Sequence, residues 1–208
     1  MNKYIVEFIG TFFLVFTIGS TVLGPNDAGA MAPLAIGSAL MVMIFAGGHV
    51  SGAHYNPAVT LAVALRGKCP KTDVIPYWVA QVVAAAVAAA IVIWMKGKGA
   101  EVEDHSVFKT LVAEFLFTFA LCYVVLNVAT AKGTSGNSFY GLAIGFTVLA
   151  GAYSVGAVSG GAFNPAVVVG LIIMGKLPLS EIWMYLIATL AAAVVAAIVF
   201  KMINPDDK

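Results

Sequence analysis

Long runs of apolar residues, separated by short polar segments, dominate the hydropathy pattern of this chain. A helix needs about 20 apolar residues to cross the hydrocarbon core of a bilayer, and six of the runs reach that length. The first run is too long for a signal peptide and no small-residue cleavage site follows it, so we expect it to be retained. We predict six transmembrane helices, over residues 3–23, 31–50, 74–95, 107–130, 139–158 and 179–203.

Two further apolar runs, at residues 57–66 and 165–174, have only ten residues each and are too short to span. Each begins with a proline, which suits the first turn of a helix because its missing N–H has no partner there. Asn56 and Asn164 precede these prolines at a favourable N-cap position. We predict two half-helices that start inside the membrane, with glycine-rich lead-ins that are buried in protein or line a water-filled cavity.

The two half-helices belong to an internal repeat. An offset of 108 residues aligns GHVSGAHYNPAV (48–59) with GAVSGGAFNPAV (156–167), and an offset of 107 aligns EFIGTF (7–12) with EFLFTF (114–119). Each half therefore has three spans and one half-helix. Because three is an odd number, the second half must be inserted upside down relative to the first. One half-helix then enters from each face, and the two N-termini meet near the middle of the membrane.

This organisation predicts an all-α membrane protein with six transmembrane helices and two re-entrant half-helices, in one channel domain (1–208) with repeats at about 1–100 and 107–208. It resembles the aquaporin and glyceroporin family over essentially the whole chain. The resemblance implies one pore per subunit, a homotetramer, and passive transport of water and small neutral solutes with neither catalysis nor a cofactor. The motif residues that carry it are Asn56, Pro57, Ala58, Asn164, Pro165 and Ala166.

The two asparagines also point to a pore on physical grounds. Each offers side-chain N–H donors beside the N-terminus of a half-helix, which carries roughly +0.5 of an elementary charge. A passing water would turn its oxygen toward both donors, and a cation would meet a positive barrier. The alternative is that Asn56 and Asn164 only cap their helices. Two converging motifs favour the pore.

Glu7 and Glu114 are acidic residues at matched positions inside predicted spans. An ionisable side chain in a membrane helix is costly and normally faces the protein interior. In the family, the matching glutamates hold the re-entrant loops by accepting backbone N–H bonds. The alternative for Glu7 is that it reaches the headgroups, since it lies close to the N-terminus. The pairing favours loop bracing, and no other mid-span charge supports proton coupling.

His49 and His54 flank the first motif, and the chain has only one other histidine, His105. A metal site would need more ligands than these, so we predict no metal. We expect His49 and His54 to line or brace the first re-entrant loop. His54 has no counterpart in the second repeat, where Ala162 stands. The two sides of the pore should therefore differ chemically.

The position after the second motif departs from the family pattern. The family usually continues Asn-Pro-Ala with an arginine that narrows the outer constriction, whereas this chain has Val167, and its only arginine is Arg66. Glyceroporins typically carry an aspartate next, and here Val168 stands. The sequence therefore matches neither the standard water-selective nor the standard glycerol-selective pattern. By spacing from the asparagines, the remaining members of the family's constriction fall at Ile36, Ala152 and Gly161. The resemblance therefore implies a wide, apolar ring of Ile36, Ala152, Gly161 and Val167.

Composition limits the remaining possibilities. The chain is 61% hydrophobic and 10% charged, too apolar for a soluble domain, and its net charge of +1 provides no basic patch for nucleic acid. Seven basic residues lie in segments on the same side of the membrane as the N-terminus, and four lie on the other side. This difference predicts that both termini are cytoplasmic and that the chain lies in a cell membrane. The sequence shows neither the nucleophile or metal-ligand cluster that an enzyme would need nor the charged groups at the membrane midplane that an ion-coupled transporter would need. A non-conducting junctional protein of the same fold stays open, and so does the choice among water, glycerol, urea, ammonia, hydrogen peroxide and neutral metalloid hydroxides such as arsenous acid.

Overall fold

The computed structural model describes residues 1–24, 27–100 and 105–207, and within these ranges the regular structure is entirely helical. Six of the helices are long and apolar enough to cross a membrane, which confirms the predicted spans. Residues 101–104 and Lys208, some of which entered the topology prediction, lie outside the described residues. The helices are α1 Asn2–Val22, α2 Ala32–Ser51, α3 Pro57–Arg66, α4 Lys71–Lys96, α5 Val107–Val125, α6 Tyr140–Ser159, α7 Pro165–Ile173 and α8 Ile182–Ile203.

The ends of the spans differ from the predicted ends by three or more residues in three places. Helix α8 begins at Ile182, because Leu179–Glu181 forms a 3-10 turn before it. Helix α4 begins at Lys71, three residues earlier than predicted, and carries Asp73 in its first turn, where a carboxylate is favoured by the helix dipole. Helix α5 ends at Val125, and the chain continues as a π-helical turn, Leu126–Thr130. Hydropathy alone does not distinguish this turn from α-helix, because the apolar run continues through it.

The two halves of the chain pack in equivalent ways, and each half packs its half-helix against helices of the other half. Helix α1 packs against α2 and α4, as α5 packs against α6 and α8. Half-helix α3 lies against α8 and α5 of the second half, and α7 lies against α4 of the first. Each half therefore completes the wall around the other half's re-entrant segment. The prediction of six spans with two re-entrant half-helices is confirmed.

Small residues set the distance between the halves where α2 crosses α6. A Cβ atom at Gly37 would lie 2.8 Å from the Gly145 carbonyl oxygen, and one at Gly145 would lie 2.5 Å from the Gly37 carbonyl oxygen. Any side chain at either position would push the helices apart. This backbone-to-backbone contact is typical of helix packing in membranes, where small residues permit close approach.

The helical bundle has two ends, which we call the terminal face and the opposite face. The terminal face carries Met1, the loops 67–70 and 131–139, and the C-terminal segment 204–207. The opposite face carries the loops 97–100 and 174–181 and the segment 27–31.

Candidate functional site: a pore between two half-helices

Both asparagines act as N-caps of the half-helices. The Asn56 side-chain oxygen accepts the backbone N–H of Ala58 at 2.8 Å, and the Asn164 oxygen accepts that of Ala166 at 2.9 Å. The prolines that follow them occupy the first helical position, as predicted. Since each oxygen is engaged by a backbone donor, the orientation of both amide groups is fixed.

The amide nitrogens reach across to the other half. Asn56 Nδ2 donates to the carbonyl of Phe163 at 2.9 Å, and Asn164 Nδ2 donates to the carbonyl of Tyr55 at 2.8 Å. Each amide has two N–H groups, so one on each side chain remains for a molecule in the cavity that both asparagines line. Each asparagine can therefore cap its half-helix through its oxygen and still offer an N–H group to the cavity. The cap and the pore-lining role, which were alternatives in the sequence analysis, are compatible.

Glu7 belongs to α1, and its fully buried carboxylate lies against the first re-entrant loop. Its Oε1 accepts the Ser51 hydroxyl at 2.7 Å and the His54 backbone N–H at 2.9 Å. Its Oε2 accepts the Tyr55 N–H at 2.7 Å and the Gln81 side-chain amide at 2.8 Å. Four donors therefore hold one carboxylate, and this side chain does not reach the headgroups.

Glu114 occupies the equivalent place in the second loop and is also fully buried. It accepts the Ser159 hydroxyl at 2.8 Å and the backbone N–H groups of Ala162 and Phe163 at 3.0 and 2.7 Å. Carboxylates bonded by several backbone donors form strong, charge-assisted hydrogen bonds. Both loops are therefore fixed to helices of their own half.

A polar network extends from Glu7 toward the cavity. Gln81 Nε2 also donates to Thr60 Oγ1 at 3.1 Å, and this hydroxyl donates to the Asn56 carbonyl at 3.0 Å. Thr60 Oγ1 also lies 3.1 Å from His54 Nδ1, at hydrogen-bond distance. The network therefore ends at His54, a side chain that lines the cavity.

The loop backbones adopt unusual conformations that the packing enforces. Tyr55 and Phe163 both have φ of 49°, a left-handed conformation that costs roughly 1 kcal/mol for a residue with a side chain. The Tyr55 ring fits against α1 and α2 only because Gly10 and Gly47 have no Cβ, which would lie about 2 Å from ring atoms or the hydroxyl. Buried aromatic packing and the glutamate bonds thus overdetermine the loop shape.

A cavity of 260 Å³ runs between the two motifs and toward the opposite face. Asn56, Asn164 and His54 supply polar groups to its wall, and the rest is mainly aliphatic, including Leu14 and Ile18 of α1, which the sequence reasoning missed. All four residues of the predicted ring lie on the wall of this one cavity: Ile36, Ala152, Gly161 and Val167.

Gly161 is confined more tightly than the sequence indicates. Its φ is 64°, and a Cβ there would lie 3.3 Å from the Gly156 Cα and 3.4 Å from the Phe163 ring. Ala152 is close by, because the same Cβ would be 3.6 Å from its Cα. A side chain introduced at Gly161 would therefore be strained, and Ala152 is the better position for a probe.

Two further cavities, of 400 and 700 Å³, open toward the terminal face. The smaller shares His54 and Val125 with the central cavity, and the larger shares Ile44 and Ile144 with it. The structure separates the two histidines that the sequence paired. His54 is buried at the junction of cavities, whereas His49 lies exposed at the end of α2, on the wall of the larger cavity.

The terminal face holds a cluster that sequence reasoning missed. Arg66, the last residue of α3, is buried; its guanidinium stacks on the Phe200 ring at 4.5 Å and pairs with Asp207 at 2.6 Å. Asp207 also accepts the backbone N–H of Lys132 at 2.6 Å. The C-terminal segment therefore ties α3 to the loop that lines the larger cavity. A lone arginine ending an apolar half-helix was the available signal, because a buried guanidinium needs a partner.

The remaining missed residues are Gln81, Thr60 and the pair Tyr77 and Tyr185. Tyr77 donates to the Ser51 carbonyl at 2.8 Å and Tyr185 to the Ser159 carbonyl at 2.6 Å. Both tyrosines align at the 108-residue offset, which was a usable signal. Gln81, an amide inside an apolar span, was another. In the part of the chain that the structure describes, no group of three or more His, Cys, Asp or Glu side chains has the arrangement of a metal site.

Six spans around two re-entrant half-helices, with paired asparagines facing one cavity, define a membrane channel rather than an enzyme. The sequence model of the family described as Major intrinsic protein matches residues 1–154 and again 101–208. The chain belongs to this family. Its members are passive channels, and the chain is a multi-pass membrane protein that transports water and small solutes passively.

Relatives and a solved structure agree with this assignment. The chain is 37% identical to aquaporin NIP1-3 of Oryza sativa subsp. japonica, over all of this chain and 75% of that protein. It is 34% identical to glycerol uptake facilitator protein-like 6 of Lactiplantibacillus plantarum, over the full length of both. Its fold is similar to that of the aquaglyceroporin from Plasmodium falciparum, with a TM-score of 0.75 over 97% of this chain and 94% of that one, at 24% identity.

Proposed function

We propose that the central cavity is a pore for water and for uncharged solutes larger than water, such as glycerol, urea, ammonia, hydrogen peroxide and arsenous acid. The observation that carries this proposal is the composition of the ring, where an isoleucine, an alanine, a glycine and a valine line one cavity without a charged or aromatic side chain. Solute size limits passage through such an apolar ring more than hydrogen bonding does.

The walls on either side of the ring support discrimination against ions. The free N–H groups of Asn56 and Asn164 offer donors at the centre, where two helix N-termini converge with their positive dipole ends. Glu7 and Glu114 lie behind the loops, where four and three donors bond their carboxylates, and neither residue lines the cavity. Neutral molecules that accept hydrogen bonds are the solutes that this arrangement favours.

The names of two relatives are consistent with a solute range beyond water, since one is called an aquaporin and the other a glycerol uptake facilitator-like protein. We further infer a homotetramer in the cell membrane, with the terminal face in the cytoplasm. The large apolar side chains exposed along the spans, such as Phe13, Phe146 and Ile187, support contacts with lipid or with neighbouring subunits.

The proposal is tested by stopped-flow swelling of proteoliposomes that contain the wild-type chain or Val167→Arg. Val167 is 2% exposed in the first turn of α7, so an arginine there would place five donors and a permanent charge at the ring. We expect glycerol and urea flux to fall at least tenfold and water flux to fall less. Val167→Met is the matched control, since it adds similar bulk without charge and should reduce glycerol flux less than arginine does.

Two outcomes would contradict the proposal. Wild-type vesicles that pass water but exclude glycerol, urea and ammonia alike would show a water-selective pore. Vesicles no more permeable than empty liposomes, with folded protein present, would favour the non-conducting junctional alternative.

A further inference from the structure

Each half-helix is followed by the same Gly-Lys pair, at an offset of 108 residues. Gly67 and Gly175 adopt left-handed conformations, with φ of 88° and 76°. The next backbone N–H donates back into the half-helix in both cases, from Lys68 to the Val63 carbonyl at 3.0 Å and from Lys176 to Leu171 at 2.8 Å. The two turns are therefore equivalent C-terminal caps, and each directs a lysine away from its helix end.

Lys176 lies on the wall of the central cavity, at its end toward the opposite face. The loop 97–100 fixes this segment, because Gly99 N–H donates to the Met174 carbonyl at 2.9 Å. A Cβ at Gly99 would lie 2.9 Å from Cδ of Lys176, so the lysine stem packs along this glycine. Lys176 is the only charged side chain among the described residues that line this cavity.

Lys68 occupies the corresponding place at the terminal face. It lines both of the cavities that open there, and its side chain is exposed. Within the described residues, the smaller of these cavities has no other charged side chain on its wall. Lys68 and Lys176, called the mouth lysines below, therefore stand at the two ends of the same path.

The charges around the mouths have a consistent sign. None of the three cavities is lined by a carboxylate in the part of the chain that the structure describes. Of the other lysines near the opposite face, Lys96 donates to the carbonyls of Ser20 and Leu23. The Lys98 stem packs against Gly175, next to Lys176, but Lys98 is not on the cavity wall. At the terminal face, Lys132 also lines the larger cavity, and its ammonium donates to the Asp206 carbonyl.

We propose that the mouth lysines are specificity-determining residues, which give each end of the pore a positive potential that disfavours cations. This proposal rests on the pore path proposed above. The apolar ring lacks the arginine of the usual motif, and the mouth lysines move its electrostatic role from the ring to the mouths without narrowing the passage. Fixed charges of one sign around a low-dielectric opening focus the field and change the local concentration of ions.

The local potential is measured with a cysteine probe at each mouth. Ala152→Cys reports on the opposite face and Ala129→Cys on the terminal face, since Ala152 lines the central cavity and Ala129 lines both terminal-face cavities. The native cysteines, Cys69 and Cys122, are both buried. Because Cys69 lines the smaller terminal-face cavity together with Ala129, every probe variant also carries Cys69→Ser. Protein in zwitterionic detergent is reacted with anionic sulfonatoethyl or cationic trimethylammonioethyl methanethiosulfonate, and the ratio of the two rates is recorded.

We expect Lys176→Gln to lower the anion-to-cation rate ratio at Ala152→Cys about fivefold at about 0.1 M salt, and to lose most of that effect above roughly 0.5 M salt. Lys68→Gln should do the same at Ala129→Cys. Each substitution should leave the ratio at the other probe within about twofold, because the mouths are farther apart than a Debye length, which is about 10 Å at about 0.1 M salt. Lys109→Gln is the matched control and should change neither ratio, because Lys109 is exposed and lines none of the three cavities.

The outcomes separate the two proposals. If the probes react but Lys68→Gln and Lys176→Gln leave the anion-to-cation rate ratios unchanged, the electrostatic role of the mouth lysines is wrong and the pore path stands. If Ala152→Cys does not react with either reagent, the pore path itself is wrong. A lysine that only stabilises the C-terminus of its half-helix would change thermal stability and leave the rate ratio as it is in the unsubstituted protein.

Discussion

The two re-entrant loops share one backbone but differ in the side chains that surround it. Both are held by a buried glutamate, a serine hydroxyl and a tyrosine hydroxyl, and each is tied to the other by an asparagine. The first loop adds a polar network of Gln81, Thr60 and His54. At the 108-residue offset the second loop has Thr189, Val168 and Ala162 instead.

This difference distinguishes the hydrogen bonds that hold both loops in place from those that change the chemistry of one side of the pore. The shared bonds satisfy backbone N–H and carbonyl groups that have no helix partner at membrane depth, and leaving them unsatisfied costs several kcal/mol each. The network of the first loop ends at the His54 imidazole, which lines the central cavity and the smaller cavity on the side of the terminal face. The shared bonds therefore give both halves the same pore-forming loop, and the unshared ones give the two sides of the pore different chemistry.

The largest effect is expected from neutralising the shared carboxylates. Glu7→Gln and Glu114→Gln should each lower the free energy of unfolding by about 3 kcal/mol, because an amide cannot accept all the donors that now face the carboxylate. Glu7→Gln should cost more, since Glu7 has four donors and Glu114 has three. Unfolding by sodium dodecyl sulfate, followed by circular dichroism, measures both. Values within about 1 kcal/mol of wild type would show that the glutamates do not brace the loops.

A smaller effect is expected from the unshared network. Gln81→Leu should destabilise the chain by about 2 kcal/mol, because Glu7 and Thr60 each lose a donor. The buried Gln81 oxygen, which has no hydrogen-bond partner among the described residues, is removed at the same time. Thr189→Val is the matched change in the other half and should cost less than about 1 kcal/mol, since Thr189 bonds only within its own helix. Equal costs in the same unfolding assay would contradict the asymmetry between the loops.

The smallest effect concerns the end of the first half-helix, where Arg66 stands and the second half has Met174. The pKa of the Asp207 carboxyl lies below its ordinary value, because it accepts the Lys132 backbone N–H and faces the Arg66 guanidinium. A lowered folded-state pKa contributes stability above the unfolded value of about 3.9, and this contribution is lost as pH falls through the folded value. Asp207→Asn should lower the Tm by a few degrees at about pH 7.

The pH profile checks that assignment. The Tm difference between wild type and Asp207→Asn should shrink as pH falls through the lowered folded-state pKa, and disappear at the pH where the carboxyl is protonated in the folded chain as well. Asp206→Asn is the control, because only the backbone carbonyl of Asp206 contacts Lys132. A difference that stays constant down to that pH would show that Asp207 acts through packing rather than through charge.

The sequence predicted the fold to within a few residues at most helix ends, because hydropathy reports span length and Asn-Pro pairs mark helix starts. The repeat also paired Glu7 with Glu114 before any geometry was known. It did not reveal Gln81, Thr60 or the Arg66–Asp207 pair. These contacts join residues 21 to 141 positions apart and lack a counterpart in the other half, so no periodicity or repeat marks them.

The ring illustrates the same limit. Spacing placed Ile36, Ala152, Gly161 and Val167 on one wall, yet it gave no information on the conformation of Gly161, whose positive φ depends on the serine and glutamate bonds around it. For the same reason, Lys176 entered the sequence analysis only as one of the four basic residues on the side opposite the termini. Its place on the cavity wall depends on the packing of Gly99 against Met174, a contact between the two halves.

The crossed bonds of the asparagines also order the events of biogenesis. They join residues 107 and 109 positions apart, so the first loop lacks its partner until the second motif has been synthesised and inserted. Contacts of such separation form late, after the local helices. Until then the Tyr55 carbonyl must be served by water or by the insertion machinery, since lipid offers no donor. We therefore expect a nascent chain that ends before Asn164 to keep its first half-helix accessible to water-soluble reagents, and to lose that accessibility when the second half arrives.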